Sequence, residues 1–131
     1  MPKHSPLILI VDDDDQVLDS AEIVLTALDY RVIPATNADA ALEIVKYYRG
    51  IDLLITDIVM PGSMDGWELA RRAKEIRSEL RVLYTSGFAS RALPERDAGY
   101  GPLLPKPWRA PELVRTVHRS LRGARRDLMP V

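Results

Sequence analysis

The chain has 131 residues, 47% apolar and 28% charged, the balance of a single globular domain with one core. Eighteen basic residues against nineteen acidic ones leave a net charge of −1, which gives no electrostatic reason to expect nucleic acid or an anionic membrane as the main partner. Cysteine is absent, which excludes disulfides and thiolate metal sites, and no stretch approaches the apolar length needed to cross a bilayer. The opening "MPKHSP" lacks the apolar run of a signal peptide, so the expected location is the cytoplasm.

The first element, "PLILIV" from Pro6 to Val11, is a continuous aliphatic run too short for a helix and stopped by acids, which predicts a central strand buried on both faces. Val17, Ala21, Val24, Leu25 and Leu28 then recur at helical spacing. "YRVIPA" predicts a short strand that lies near the sheet edge or ends at Pro34, because proline cannot donate to a ladder. A second helix starts from Thr36 or Asn37 as cap, and Ala41, Ile44, Val45 and Tyr48 supply its apolar face. "IDLLIT" is a third strand, and Leu69, Ala70, Ala73 and Ile76 mark a third helix beyond a loop with Pro61, Gly62, Asp65 and Gly66. "RVLYTS" gives a fourth strand ended by Gly87, and "FASRALPERDAG", with Pro94 inside it, encodes at best a short helix. "GPLLPKP" gives a brief fifth strand; Leu113, Val114, Val117 and Leu121 define a last helix with Pro111 in its first turn, and residues 123–131 read as a tail.

Strands alternating with helices predict an α/β fold: a doubly wound, five-stranded parallel sheet, with 2-1-3-4-5 as a common strand order. No linker, repeat or low-complexity segment divides the chain, so residues 1–131 are expected to form one domain with a core over about 6–122. In a parallel sheet every strand ends at the same edge, which gathers Asp12, Asp13, Asp57, Thr85, Ser86 and Lys106 on one rim. Carboxylates at close range repel unless a cation intervenes. A hard ion such as Mg²⁺ is held by one or two carboxylates with waters and phosphate oxygens, leaving Lys106 and Ser86 to face a phosphoryl group.

"ILIVDDDDQV", "LLITDIVMPGSMDGWELA", "VLYTSGF" and "LLPKPW" resemble, in order and spacing, the four signature segments of receiver domains, the phospho-accepting modules of bacterial two-component and phosphorelay systems. The resemblance covers about residues 6–122 and implies a flavodoxin-like (βα)5 fold without enzymatic turnover of its own. It makes Asp57 the acceptor of a phosphoryl group from a sensor histidine kinase or histidine phosphotransferase, with Asp12, Asp13, Asp57 and the Val59 carbonyl as Mg²⁺ ligands. Ser86 takes the hydroxyl position and Lys106 the place of the phosphoryl-pairing lysine, with a cis Lys106–Pro107 bond. The Ser86 hydroxyl is expected to move toward the acyl phosphate and draw the segment after Gly87 with it.

Two features depart from the family pattern. Leu103 stands where many receivers carry a Tyr or Phe that turns inward on activation, and "MPGSMDG" is one residue longer than the common loop. Val59 and Phe88 flank the route of an attacking water, and their apolar bulk predicts slow self-dephosphorylation. Among plainer readings, Asp14, Asp15 and Asp65 suit helix starts, Trp67 and Trp108 suit packing, and His118 suits a partly exposed structural role. A Mg²⁺-dependent aspartyl phosphatase of the haloacid dehalogenase type is the competing enzyme class, but its second Asp would fall at Val59. The opening Met favours a stand-alone regulator over a module cut from a hybrid histidine kinase, and the downstream protein target is not encoded in any motif.

Overall fold

The computed structural model describes residues 5–87 and 100–128, the side chains of 123–128 excepted. Its strands are β1 Leu7–Val11, β2 Arg31–Ala35, β3 Leu53–Asp57, β4 Arg81–Ser86 and β5 Leu103–Pro105, all parallel, in the order β2-β1-β3-β4-β5. The described helices are α1 Asp15–Thr26, α2 Ala38–Tyr47, α3 Gly66–Ile76 and α4 Ala110–Leu128. The short helix expected within 88–99 lies outside the described residues, as does Phe88. The final helix continues to Leu128, beyond the boundary drawn at 122. No proline interrupts the backbone between Pro111 and Pro130, and Ala124, Arg125 and Arg126 are good helix formers that carry it past Gly123.

Strand alternation sorts the apolar side chains into two layers. Leu9, Val11, Leu54, Val82 and Tyr84 pack under α2 and α3, against Ala41, Val45, Leu69 and Ala73. Ile8, Ile10, Ile55, Leu83 and Leu104 pack on the opposite face under α1 and α4, against Leu18, Ala21, Leu25, Leu113 and Val117. Every residue of β1 and β3 is buried, which is why both read as unbroken apolar runs. Edge strand β2 carries the exposed Pro34, in register with Ile10.

The helix starts are set by short polar side chains. Asp14 accepts from the Gln16 amide at α1, Asn37 rather than Thr36 accepts from Ala40 at α2, and Asp65 accepts from Glu68 at α3. The long loop after β3 turns through Gly62 at φ 113°, a conformation that L side chains avoid. Gly66 is required for space instead, because a Cβ there would collide with the backbone carbonyl of Asp57. Only glycine lets α3 start flush against the end of β3. Gly66→Ala is expected to cost about 2–3 kcal/mol, the upper end for overpacking, read as a lower urea midpoint with an unchanged m-value.

Candidate functional site

Two buried acids and one lysine form the centre of the rim. Strand β1 stops at Val11, so Asp12 is the first residue past it; Asp12 is 2% exposed and Asp57, the last residue of β3, is 5% exposed. Lys106 follows β5 and reaches back, donating from Nζ to Asp12 Oδ2 at 2.9 Å and to Asp57 Oδ2 at 3.2 Å. The remaining oxygens take backbone donors: Asp12 Oδ1 accepts from the Asp14 amide at 2.9 Å, and Asp57 Oδ1 accepts from the Val59 amide at 3.3 Å. Asp13 is exposed, yet one of its carboxylate oxygens lies with those of Asp12 and Asp57 inside a mutual distance of 4.8 Å.

The backbone explains this convergence. Asp57 is in register with Thr85, the Ile58 amide donates to the Thr85 carbonyl at 2.9 Å, and the Lys106 amide donates to the Ser86 carbonyl at 2.8 Å. The Lys106–Pro107 peptide is cis, as expected. Asp12, Asp57 and Lys106 continue the face of Ile10, Ile55 and Leu104, so the sheet face that holds an apolar layer lower down carries charge at its end.

Burial drives the electrostatics. Desolvation pushes the Asp57 carboxyl above its ordinary value, the Lys106 ammonium draws it down, and the Asp12 charge pushes it up again, for a net rise. Burial pulls Lys106 down, but its hydrogen bond to Asp12 and the charges of Asp12 and Asp57 outweigh that and leave it raised. Three carboxylates gathered here, with one ammonium bridging two of them, are short of positive charge. Their hard oxygens at this spacing suit a small divalent cation, whereas no histidine or cysteine is present in the cluster to favour a softer one.

Ser86 ends β4 and is completely buried, but among the described residues its hydroxyl makes no hydrogen bond, and none joins it to Asp57 or Lys106. Strand alternation explains the separation: Ser86 lies on the Tyr84 side of the sheet, while Thr85 lies on the Asp57 side and lines a small void beside Asp12. A buried hydroxyl without a partner is costly to keep. Ser86→Ala is therefore expected to leave stability unchanged or raise it by up to about 1 kcal/mol, a result that urea unfolding of the unphosphorylated protein would check.

Leu103 is in register with Tyr84, which is 1% exposed and packs against Trp67 with ring centroids 4.5 Å apart and planes tilted by 48°. An aromatic side chain thus shares the Ser86 side of the sheet, two residues back along the same strand, a placement that sequence reading about Leu103 missed. Trp108 packs against the α1 and α4 layer, so both tryptophans are packing residues, and His118 is exposed. Gly66 was also missed as a site residue; the only sequence signal was its place directly after the capping Asp65.

The family model for the response regulator receiver domain matches residues 8–118. The chain belongs to the response regulator receiver family. It is 38% identical to the response regulator receiver protein CpdR of Brucella abortus, over 89% of this chain and 98% of that one. It is also 34% identical to the sensor kinase CckA of the same organism, over 89% of this chain but only 13% of the kinase. Among solved structures, a CheY-like receiver domain protein from Methanospirillum hungatei superposes with a TM-score of 0.85 at 28% identity, covering 94% of this chain and 98% of that one. Receiver domains are thus similar to this chain both as whole proteins and as parts of larger ones. No helix among the described residues is long and apolar enough to cross a membrane.

Proposed function

We propose that Asp57 is the phospho-acceptor of this receiver domain, and that Asp12, Asp13, Asp57 and the Val59 carbonyl hold Mg²⁺. The observation that carries the reading is the shared ammonium: Lys106 bridges the buried Asp12 and Asp57 carboxylates, at 2.9 and 3.2 Å. When bound, Mg²⁺ supplies positive charge for the oxygens of a transferring phosphoryl group.

The reaction is attack of an Asp57 carboxylate oxygen on the phosphorus of a kinase or phosphotransferase phosphohistidine. The O–P bond of an acyl phosphate forms, the N–P bond breaks, and the departing imidazole takes up a proton. Lys106 already contacts Asp57 and is placed to hold a phosphoryl oxygen when one arrives. Ser86 contributes the hydroxyl that moves to meet the new charge, since it gives up no existing hydrogen bond in doing so. An open cleft of about 670 Å³ beside Lys106, bordered by Gln16, Ser20 and Trp108, leaves room for the donor side chain. The protein is then a cytoplasmic regulatory phosphoprotein rather than a turnover enzyme, handing its signal to a protein target.

Incubation with acetyl phosphate and Mg²⁺ followed by intact-protein mass measurement tests the reading. One phosphoryl adduct should form, and chelation of the metal should prevent it. Continuous release of phosphate from simple esters, without a stable adduct, would instead support the phosphatase class.

A further inference from the structure

The two helices that share one sheet face carry opposite charge. From Asp12 to Tyr30 there is no Lys or Arg, and from Leu113 to Arg126 there is no Asp or Glu. On α1, Asp15, Asp19 and Glu22 recur at intervals of four and three, a single row; Asp15 and Asp19 are exposed and Glu22 is half-buried. On α4, Arg115, Arg119 and Arg122 repeat the same intervals, all exposed, and Arg126 takes the next place in that register. Each three-residue row is about 10 Å long.

Neither row is neutralised by an ion pair among the described residues. Elsewhere the chain pairs its surface charges: Arg71 with Glu68 and Glu75, Arg72 with Glu68, Lys46 with Glu43. Among the described residues, no ion pair engages Arg115, Arg119 or Arg122, nor the three acids of the α1 row. Like charges one turn apart weaken a helix. The arginine row points away from the apolar residues Leu113 and Val117, so it cannot turn inward for relief. Beside the acids, Ile23 is 69% exposed, an aliphatic surface with nothing over it in the monomer.

We infer that the chain self-associates, with α1 of one copy laid along α4 of another. The matched intervals let three acids meet three arginines when the helices lie side by side, and Ile23 is covered at the same contact. A net charge of −1 offers no long-range repulsion to keep copies apart. Arginine suits the role, because its planar fork can grip a carboxylate through two donors. The contact is held by solvent-exposed charge, so it is weak and sensitive to salt.

Sedimentation equilibrium of the full chain provides the test. At an ionic strength of about 0.01 M the average mass should rise with protein concentration, and at about 1 M it should fall to that of the monomer. Asp19→Arg/Glu22→Arg and Arg119→Glu/Arg122→Glu change three exposed groups and the half-buried Glu22, and each variant, with its fold checked by circular dichroism, should remain monomeric alone. Mixing the two should restore association, because the α1 row of one variant, now basic at two of its three positions, meets the α4 row of the other, now acidic at two of its three, while the unchanged arginine and acid rows pair as before. A parent chain that stays monomeric at low salt, or a mixture that fails to associate, overturns the inference. So does binding of duplex DNA that is lost in the arginine variant while the parent remains monomeric, since the row would then serve phosphates.

Discussion

In metal-free buffer at neutral pH, Asp57→Asn should unfold at a higher temperature than the parent chain while accepting no phosphoryl group from acetyl phosphate. The Asp57 carboxyl is raised by burial above the value it has in the unfolded chain, with the Asp12 charge adding to the rise and Lys106 opposing it. A group of this kind contributes stability that is fully present below its unfolded value of 3.8 and is lost as pH rises through the higher folded value. At neutral pH the folded protein therefore carries an ionised carboxylate at a loss. An amide of the same shape removes that loss, a gain of about 0.5–2 kcal/mol, typical when a functional site is relieved of strain. Thermal unfolding across pH separates this from a packing effect. The advantage of Asn should fade toward acid, where Asp57 is protonated, and Mg²⁺ should narrow it by stabilising the parent. A variant less stable than the parent at every pH would show that the site does not carry this penalty.

The opposite sign is expected at the other end of the same contact. Lys106→Met keeps most of the side-chain volume but leaves Asp12 and Asp57, 2% and 5% exposed, facing each other without their ammonium. Breaking a buried pair costs about 3–5 kcal/mol. The lysine side chain is 18% exposed, which lets some water in and moves the expected loss to the lower end of that range. Because the surplus is negative charge, millimolar Mg²⁺ should restore much of the loss, and acid should do the same by protonating one carboxylate. Denaturant midpoints with and without Mg²⁺ read both effects. A loss unaffected by metal would mean that the acids are not poised to take a cation.

How much of this is legible in the sequence differs from residue to residue. The parallel sheet and the shared rim of Asp12, Asp57 and Lys106 follow from local pattern, because apolar runs with charged residues at their ends gather those ends at one edge, whereas the strand order is only a common one among the few that crossover rules allow. The exposure of Asp13 does not follow: neighbouring residues beyond a strand turn opposite ways, and the run of four acids gives no hint that only Asp12 turns inward. Ser86 belongs at the rim, as its place at the end of β4 implies, but its hydroxyl lies on the far face, a consequence of strand parity relative to Asp57 that becomes clear only once the register is known. The Tyr84–Trp67 ring contact and the closeness of Gly66 to Asp57 are invisible for the same reason, since each joins elements whose separation depends on packing rather than spacing. Helix α4 outruns its expected end because apolar periodicity reports where a helix is buried, not where its backbone stops.

The seat of Gly66 against the Asp57 carbonyl has one more implication. That carbonyl also receives the Thr56 hydroxyl at 3.0 Å, and the following amide is tied to Thr85, so the main chain around Asp57 is clamped from several sides. On the proposed reading, a displacement begun at the Asp57 carboxylate therefore starts from a main chain held on the β3 side, and the adjoining β4, tied to it through the Thr85 carbonyl, is its nearest neighbour to respond.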